Sequence, residues 1–315
     1  MSGASAPTAD DRSGETWLVR RSSEDPTAVR QRGELPVFDP VEAERALGFV
    51  RLVRLLVALP MTSLGVLAFG AGLAMGNPWF AVAAAVMTAL IPLSLRDDTR
   101  LAKALERFGR GDLTGAEQGL LPVARRRQGT QAQRACAYLA AIAWRRCDHE
   151  AALQWVRARQ RLLGRPASVE AVTDVERWTT AVTEVWLLAL LGHADEANQA
   201  LARLGPARDD GEAQLLVVTA RLLVAFARDQ ADDVRCDLEQ WQRVCEGHDR
   251  IGLASVALAW ALQACGRRDA AKLWAERIRA SAHGAADVLE HVEAHAPRLH
   301  RWFQTFLADS SYARS

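Results

Sequence analysis

From residue 55 to residue 95 the chain runs for 41 positions without a charged side chain. One helical membrane crossing takes about 20 apolar residues, so this stretch has room for about two. Gly76-Asn77-Pro78 interrupts it near the midpoint with three turn-forming residues. The pattern predicts a hairpin over residues 39–96, with spans at 55–75 and 79–95. Lipid offers no partner to an open N–H or C=O group, so both spans should be helical, with Pro60 and Pro92 as kinks rather than breaks. Asp39 as N-cap, Pro40 as first helical residue, and Glu42 and Glu44 in the first turn predict the helix that enters the first span.

The flanks set the orientation. Arg45, Arg51 and Arg54 precede the first span; Arg96, Arg100, Lys103, Arg107 and Arg110 follow the second; the turn between them has no Lys or Arg. The positive-inside rule then predicts a multi-pass protein of the cell membrane with both termini cytoplasmic. The alternative is an unusually apolar hairpin in a soluble core, because the second span has only 17 residues. Ala68, Gly72 and Gly76 recur every fourth residue on the first helix, and Ala81, Ala85 and Ala89 on the second. Folding at residues 76–78 would bring the two stripes together, and small side chains let helix backbones approach where no hydrophobic effect drives them.

Charge and composition narrow the function classes. The 39 basic and 38 acidic residues leave a net charge of +1, so no whole-molecule field draws in nucleic acid or acidic substrates. Arg supplies the basic residues except Lys103 and Lys272, a compositional bias that says little about function. Five cysteines without CxxC spacing sit among helix formers and read as small buried residues in a reducing compartment. Residues 1–38 mix Ser, Pro, Gly and both charge signs without apolar periodicity, which predicts a disordered cytoplasmic tail and no secretory signal. A flexible C-terminus is expected over 309–315.

Beyond residue 96 there is no strand-like alternation, and apolar residues recur at three and four, so the rest is expected to be all-helical. It also repeats. Gly111-Asp-Leu-Thr-Gly-Ala116, Cys147-Asp-His-Glu-Ala-Ala152, Gly192-His-Ala-Asp-Glu-Ala197, Asp229-Gln-Ala-Asp-Asp-Val234 and Gly266-Arg-Arg-Asp-Ala-Ala271 each follow one apolar helix and open another, at intervals of 36, 45, 37 and 37. The first residue must tolerate a left-handed backbone, and the sixth must be small enough to meet the preceding helix. The long interval is attributed to a first helix starting at Ser168. A last helix over about 286–307 should cover the open apolar end.

Leu190-Leu-Gly-His-Ala-Asp-Glu-Ala197 and Leu258-Ala-Trp-Ala-Leu-Gln-Ala-Cys-Gly266 resemble the tetratricopeptide repeat family, whose period is close to these intervals. The resemblance implies an α-solenoid of about five helix pairs over residues 97–308. Cys147 and Asp229 depart from the family's turn glycine, and Val234 from its small alanine. The family's first helices line a concave groove, with groove positions three and six residues before the turn. Carried over, these are Trp144 and Ala141, Ala189 and Trp186, Phe226 and Leu223, and Gln263 and Trp260. Trp144, Trp186, Phe226, Trp260 and Leu223 are therefore the candidate partner-binding residues, with ordinary inter-helix packing as their other reading.

Catalytic motifs are missing: there is no HExxH, GxSxG, Walker-type loop or GxGxxG after a strand. No enzyme activity and no cofactor are expected. His291 and His295 lie one turn apart near Glu290 and Glu293, and Cys236, Cys245 and His248 cluster in sequence, but neither set offers a complete ligand shell. Arg125, Arg126 and Arg127 could touch anionic lipid or simply end a helix, where cations complement the dipole. The expected function is a membrane-anchored scaffold whose groove binds a helix or peptide of a protein partner. The alternative is a structural subunit assembled into a larger membrane complex through the hairpin.

Overall fold

A computed structural model describes residues 59–80, 82–86, 96–126, 129–164, 174–205, 211–246, 252–280 and 285–312. Among them every regular element is helical. The expected helix entry at Asp39, the residues 55–58 and 87–95 of the two spans, and the terminal segments 1–38 and 313–315 lie outside the described residues.

The first helix, α1 (Leu59–Ala74), ends in a left-handed residue, Gly76, at φ 66°. The Asn77 amide closes back on the Gly72 carbonyl at 3.0 Å, and Asn77 Oδ1 accepts from the Phe80 amide at 3.2 Å. Residues 78–80 and 82–86 are helical again, so the turn falls where Gly-Asn-Pro placed it. α1 has 16 residues, and among the described residues no helix is long and apolar enough to cross a membrane. The small-residue register also differs from expectation. Gly72 is buried and Ala68 half-buried, but Gly76 and Ala85 are exposed, and Ala84 is the half-buried residue of the second helix. Ala81 and Ala89 lie outside the described side chains.

The helices that follow come in antiparallel pairs: α2 (Arg96–Gly109) with α3 (Leu113–Ala124), α4 (Thr130–Arg145) with α5 (His149–Leu163), and α6 (Asp174–Leu190) with α7 (Ala194–Ala202). α8 (Gly211–Arg228) pairs with the shorter α9 (Leu238–Glu246) through a 3-10 turn, and α10 (Leu253–Ala264) with α11 (Arg268–Ala280). The five turn residues have left-handed backbones: Gly111 at 82°, Cys147 at 57°, Gly192 at 80°, Asp229 at 54° and Gly266 at 81°. In each, the next amide bonds back to the carbonyl five residues earlier, as Asp148 does to Ala143 at 2.9 Å and Arg267 to Leu262 at 2.8 Å. These bonds satisfy carbonyls that a helix end leaves open. Five residues on, Ala116, Ala152, Ala197, Val234 and Ala271 are all buried, as the close helix contact requires.

Packing proceeds between neighbours along the chain. α6, α8 and α10, the first helices of three successive pairs, pack in series, and α5 packs on α6 to carry the stack across the longest interval. The described helix there begins at Asp174 rather than Ser168; residues 165–173 lie outside the described set. Arg159, buried on α5, reaches Thr180 Oγ1 at 3.1 Å and Glu176 at 3.5 Å on α6. On the surface Arg157 bonds both Glu184 and Glu196 at 3.0 Å, tying α5 to α6 and α7. α4 serves two cores: Leu139 and Ile142 face α2 and α3, while Ala140 and Trp144 belong to the core of the later pairs.

Two helices, not one, close the chain: α12 (Ala285–His295) and α13 (Pro297–Tyr312). Pro297 lacks an amide hydrogen, so the break falls at residue 296. α13 packs on α10 and α12 on α11. Their apolar side chains Val292, Leu299, Phe303 and Phe306 join the core of the later pairs.

Of the five cysteines, all free, Cys136, Cys245 and Cys265 are buried as expected, but Cys147 and Cys236 are exposed. Cys147 occupies the turn and is held outward by its left-handed backbone. Burial pushes the Cys136 thiol up to about 11 and Cys245 to about 12, which keeps both inert.

Candidate functional site

The first helices of the pairs bring Trp144, Trp186, Phe226, Leu223 and Trp260 to one core, but not to an open groove. Trp144 is 2% exposed, Trp260 5% and Trp186 6%; Leu223 is buried and Phe226 is only partly accessible. Trp186 is wedged between α6 and α8, its Nε1 donating to the Leu216 carbonyl at 3.2 Å. Phe226 meets Trp260 edge to face, with ring centroids 5.3 Å apart. The exposed-groove assignment of all five is corrected accordingly, and their packing role holds. Of the remaining positions, Ala141 and Ala189 are buried as well.

The cover over this face comes from the chain itself. α12 and α13 form a C-terminal arm whose His295, the last residue of α12, stacks flat on the Trp144 indole at 3.8 Å between centroids and 9° between planes. Three residues later Arg298 lies over the Phe226 ring, 5.9 Å from its centroid. The arm thus reaches from α10 and α11 past α8 to the turn between α4 and α5. Its contact at Trp144 joins residues about 150 positions apart, which no local pattern could have announced.

Around Trp144 the arm brings three imidazoles together. His149 Nε2 and His295 Nδ1 are 3.1 Å apart, within hydrogen-bond distance. The ring of His291 lies 4.4 Å from His295 and 6.0 Å from Trp144. In that bond one ring donates and the other accepts, so two imidazolium ions cannot share it. Burial holds His295 down to about 3, helped by the neighbouring His291 and His149; burial also lowers His149, against a smaller opposing pull from Asp148. His291 and His295 were visible in the sequence as a pair one turn apart. His149 was not connected to them, because its only signal is its place just after a turn.

Among the described residues no group of three or more His, Cys, Asp or Glu has the arrangement to hold a metal ion. Arg125 and Arg126 are exposed just beyond the end of α3, and Arg127 lies outside the described residues. A recess of about 440 Å³ lies between α7, α8 and α9, lined by Arg221, Arg228, Asp233 and Asp237. Arg228 pairs there with Asp233 at 2.8 Å and Arg221 with Asp237 at 3.6 Å, so its charges answer one another.

Comparison with family models, with curated proteins and with solved structures finds no match to this chain.

Proposed function

We propose that the chain is a membrane-anchored helical repeat scaffold of the tetratricopeptide-like kind, fixed by its hairpin and binding a protein partner on the cytoplasmic side. The observation that carries the anchoring is the distribution of exposed apolar residues. Of the twelve large hydrophobic residues exposed among the described ones, ten lie between Leu64 and Val86, and only Val175 and Leu273 lie elsewhere. Leu67 is 70% exposed and Trp79 82%, in a stretch without a single charge.

Burying such a side chain is worth about 1.5–3 kcal/mol, so ten half-exposed ones represent on the order of 10 kcal/mol of unused burial. That equals the whole stability of an ordinary domain, about 5–15 kcal/mol. An apolar medium is the natural cover, and basic residues on both flanks favour a hairpin dipping in from the cytoplasmic face. The scaffold reading is supported by the pairwise packing of the helices and by the arm. α13 seats Leu299, Phe303 and Phe306 in the core of the pairs, so this surface already accepts an amphipathic helix, and a partner helix of like pattern would compete for it.

Alkaline carbonate extraction and liposome flotation test the anchoring. The full chain should stay with the membrane and float, while a chain lacking 55–95 should not. Extraction of the full chain by carbonate would end the anchored reading. Extraction only by detergent together with a fixed set of other membrane proteins would favour the structural-subunit alternative.

A further inference from the structure

We propose that His149, His291 and His295 form a proton-sensitive clasp that holds the C-terminal arm, α12 and α13, against the repeat. The inference stands on the cluster around Trp144 and is independent of what the repeat binds or where it is anchored. His295 is buried, stacked on Trp144 and hydrogen-bonded to His149. The imidazole–imidazole bond needs one ring to present an unprotonated nitrogen, and adding a proton to that nitrogen turns an attraction at 3.1 Å into two facing N–H donors. His149 is the first residue of α5, where the positive end of the helix also disfavours a cation.

Among the described side chains, the charged groups flanking the cluster are engaged away from it or solvated. On α4, Arg145 lies over Phe108, and beyond it Arg146 pairs with Glu117. At the start of α5, Asp148 accepts from the Ala151 amide and is the one carboxylate acting on His149, while Glu150 is exposed. On α12, Glu290 and Glu293 are exposed; on α13, Arg298 covers Phe226 and His300 bonds Gln304. Among the described side chains, no carboxylate acts on His295, and its neighbours His291 and His149 both disfavour a proton there. At the C-terminal end of α12 the Ala296 amide donates to the Val292 carbonyl at 2.8 Å and the His300 amide to the Ala296 carbonyl at 2.9 Å.

The direction in pH follows. With the arm released, His149 and His295 return to their ordinary value near 6.5 and take up protons that the docked state refuses. The docked arm is fully favoured above about 6.5 and loses ground as pH falls toward 3. For His295, going from about pH 7.0 to about pH 5.5 shifts the balance toward release by about eight-fold, and the lowered His149 adds to the shift in the same direction.

Hydrogen–deuterium exchange on the full chain in mild detergent with a chelator, corrected for the intrinsic effect of pH, reads this directly. Amides of α12 and α13 should lose protection by at least about eight-fold between the two pH values, while amides of α6 and α7 keep theirs. His149→Gln, at a half-buried helix start, should reduce the pH response of the arm. Arm protection that ignores pH, a loss spread equally over α6 and α7, or a full response in His149→Gln would each overturn the clasp. Release caused by the chelator alone at the higher pH would also overturn it, in favour of a bound metal.

Discussion

The hairpin of residues 59–86 and the helix pairs of 96–280 are built with the same turn and buried in opposite senses. Gly76 and Gly192 both end a helix with a left-handed residue, at 66° and 80°, and both are followed by an amide that bonds back five residues. Beyond the turn they diverge. In the pairs, the residue five after the turn is buried and the apolar faces close on neighbours; in the hairpin, Leu64, Leu67, Leu73 and Trp79 face outward and Gly72 is the buried residue. Local backbone chemistry can make two helices turn back on each other in either setting. The membrane-anchored reading proposed above accounts for the difference, because apolar groups turn inward only where water is what they would otherwise meet.

Substitutions separate the two settings. Leu67→Arg with Leu73→Arg should give the largest effect, about 2.5–3.5 kcal/mol of lost membrane insertion for each, seen as a shift from floating to soluble fractions with an unchanged melting curve for the repeat. Both side chains are exposed in the folded chain, so a drop in the melting temperature of the repeat would break the comparison. Trp186→Ala should do the reverse, costing about 3–5 kcal/mol in urea unfolding through the cavity it leaves between α6 and α8, with flotation intact. A cost within about 0.5 kcal/mol would mean that Trp186 lies on an open surface after all.

Two smaller effects sharpen the account of the turns. Ala271 is fully buried where α11 meets α10, so Ala271→Trp should overpack the pair by about 1–3 kcal/mol, measured the same way. Cys147→Gly should stabilise by about 1 kcal/mol, since a side chain at φ 57° carries a steric penalty that glycine lacks. Asp229→Gly should gain less, because Asp tolerates this conformation better than most residues. A destabilised Cys147→Gly would show that the thiol makes a contact worth more than the strain.

How far the sequence could be read follows the range of the interaction. Cys147 and Asp229 were identified as turn residues although neither is glycine, because the five-residue spacing to a small partner repeats around them, and both have the left-handed backbone that the spacing demanded. The aromatic positions are legible in the sequence, but their neighbours are not. Three and six residues before a turn is an inward position in both readings, and periodicity alone does not say whether solvent or another helix lies opposite. The single terminal helix expected over 286–307 is instead two, and residue 297, a proline in plain view, marks the break.

By itself the sequence determined what short-range forces control: the helical character, the five pairs and their turns, the Gly76 reversal and the absence of charge around it. These follow from φ preferences, hydrogen bonds within a few residues and a periodic apolar face. Only the tertiary structure decided that the arm lies across the inner helices, that Trp144 stacks on His295, and that His149 completes the cluster from 146 residues away. The entropy of closing so long a loop rises only slowly with length and is offset by burying Val292, Leu299, Phe303 and Phe306, so many distant partners compete on nearly equal terms. Shape complementarity in the packed core chooses among them, and that complementarity exists only once the pairs have assembled.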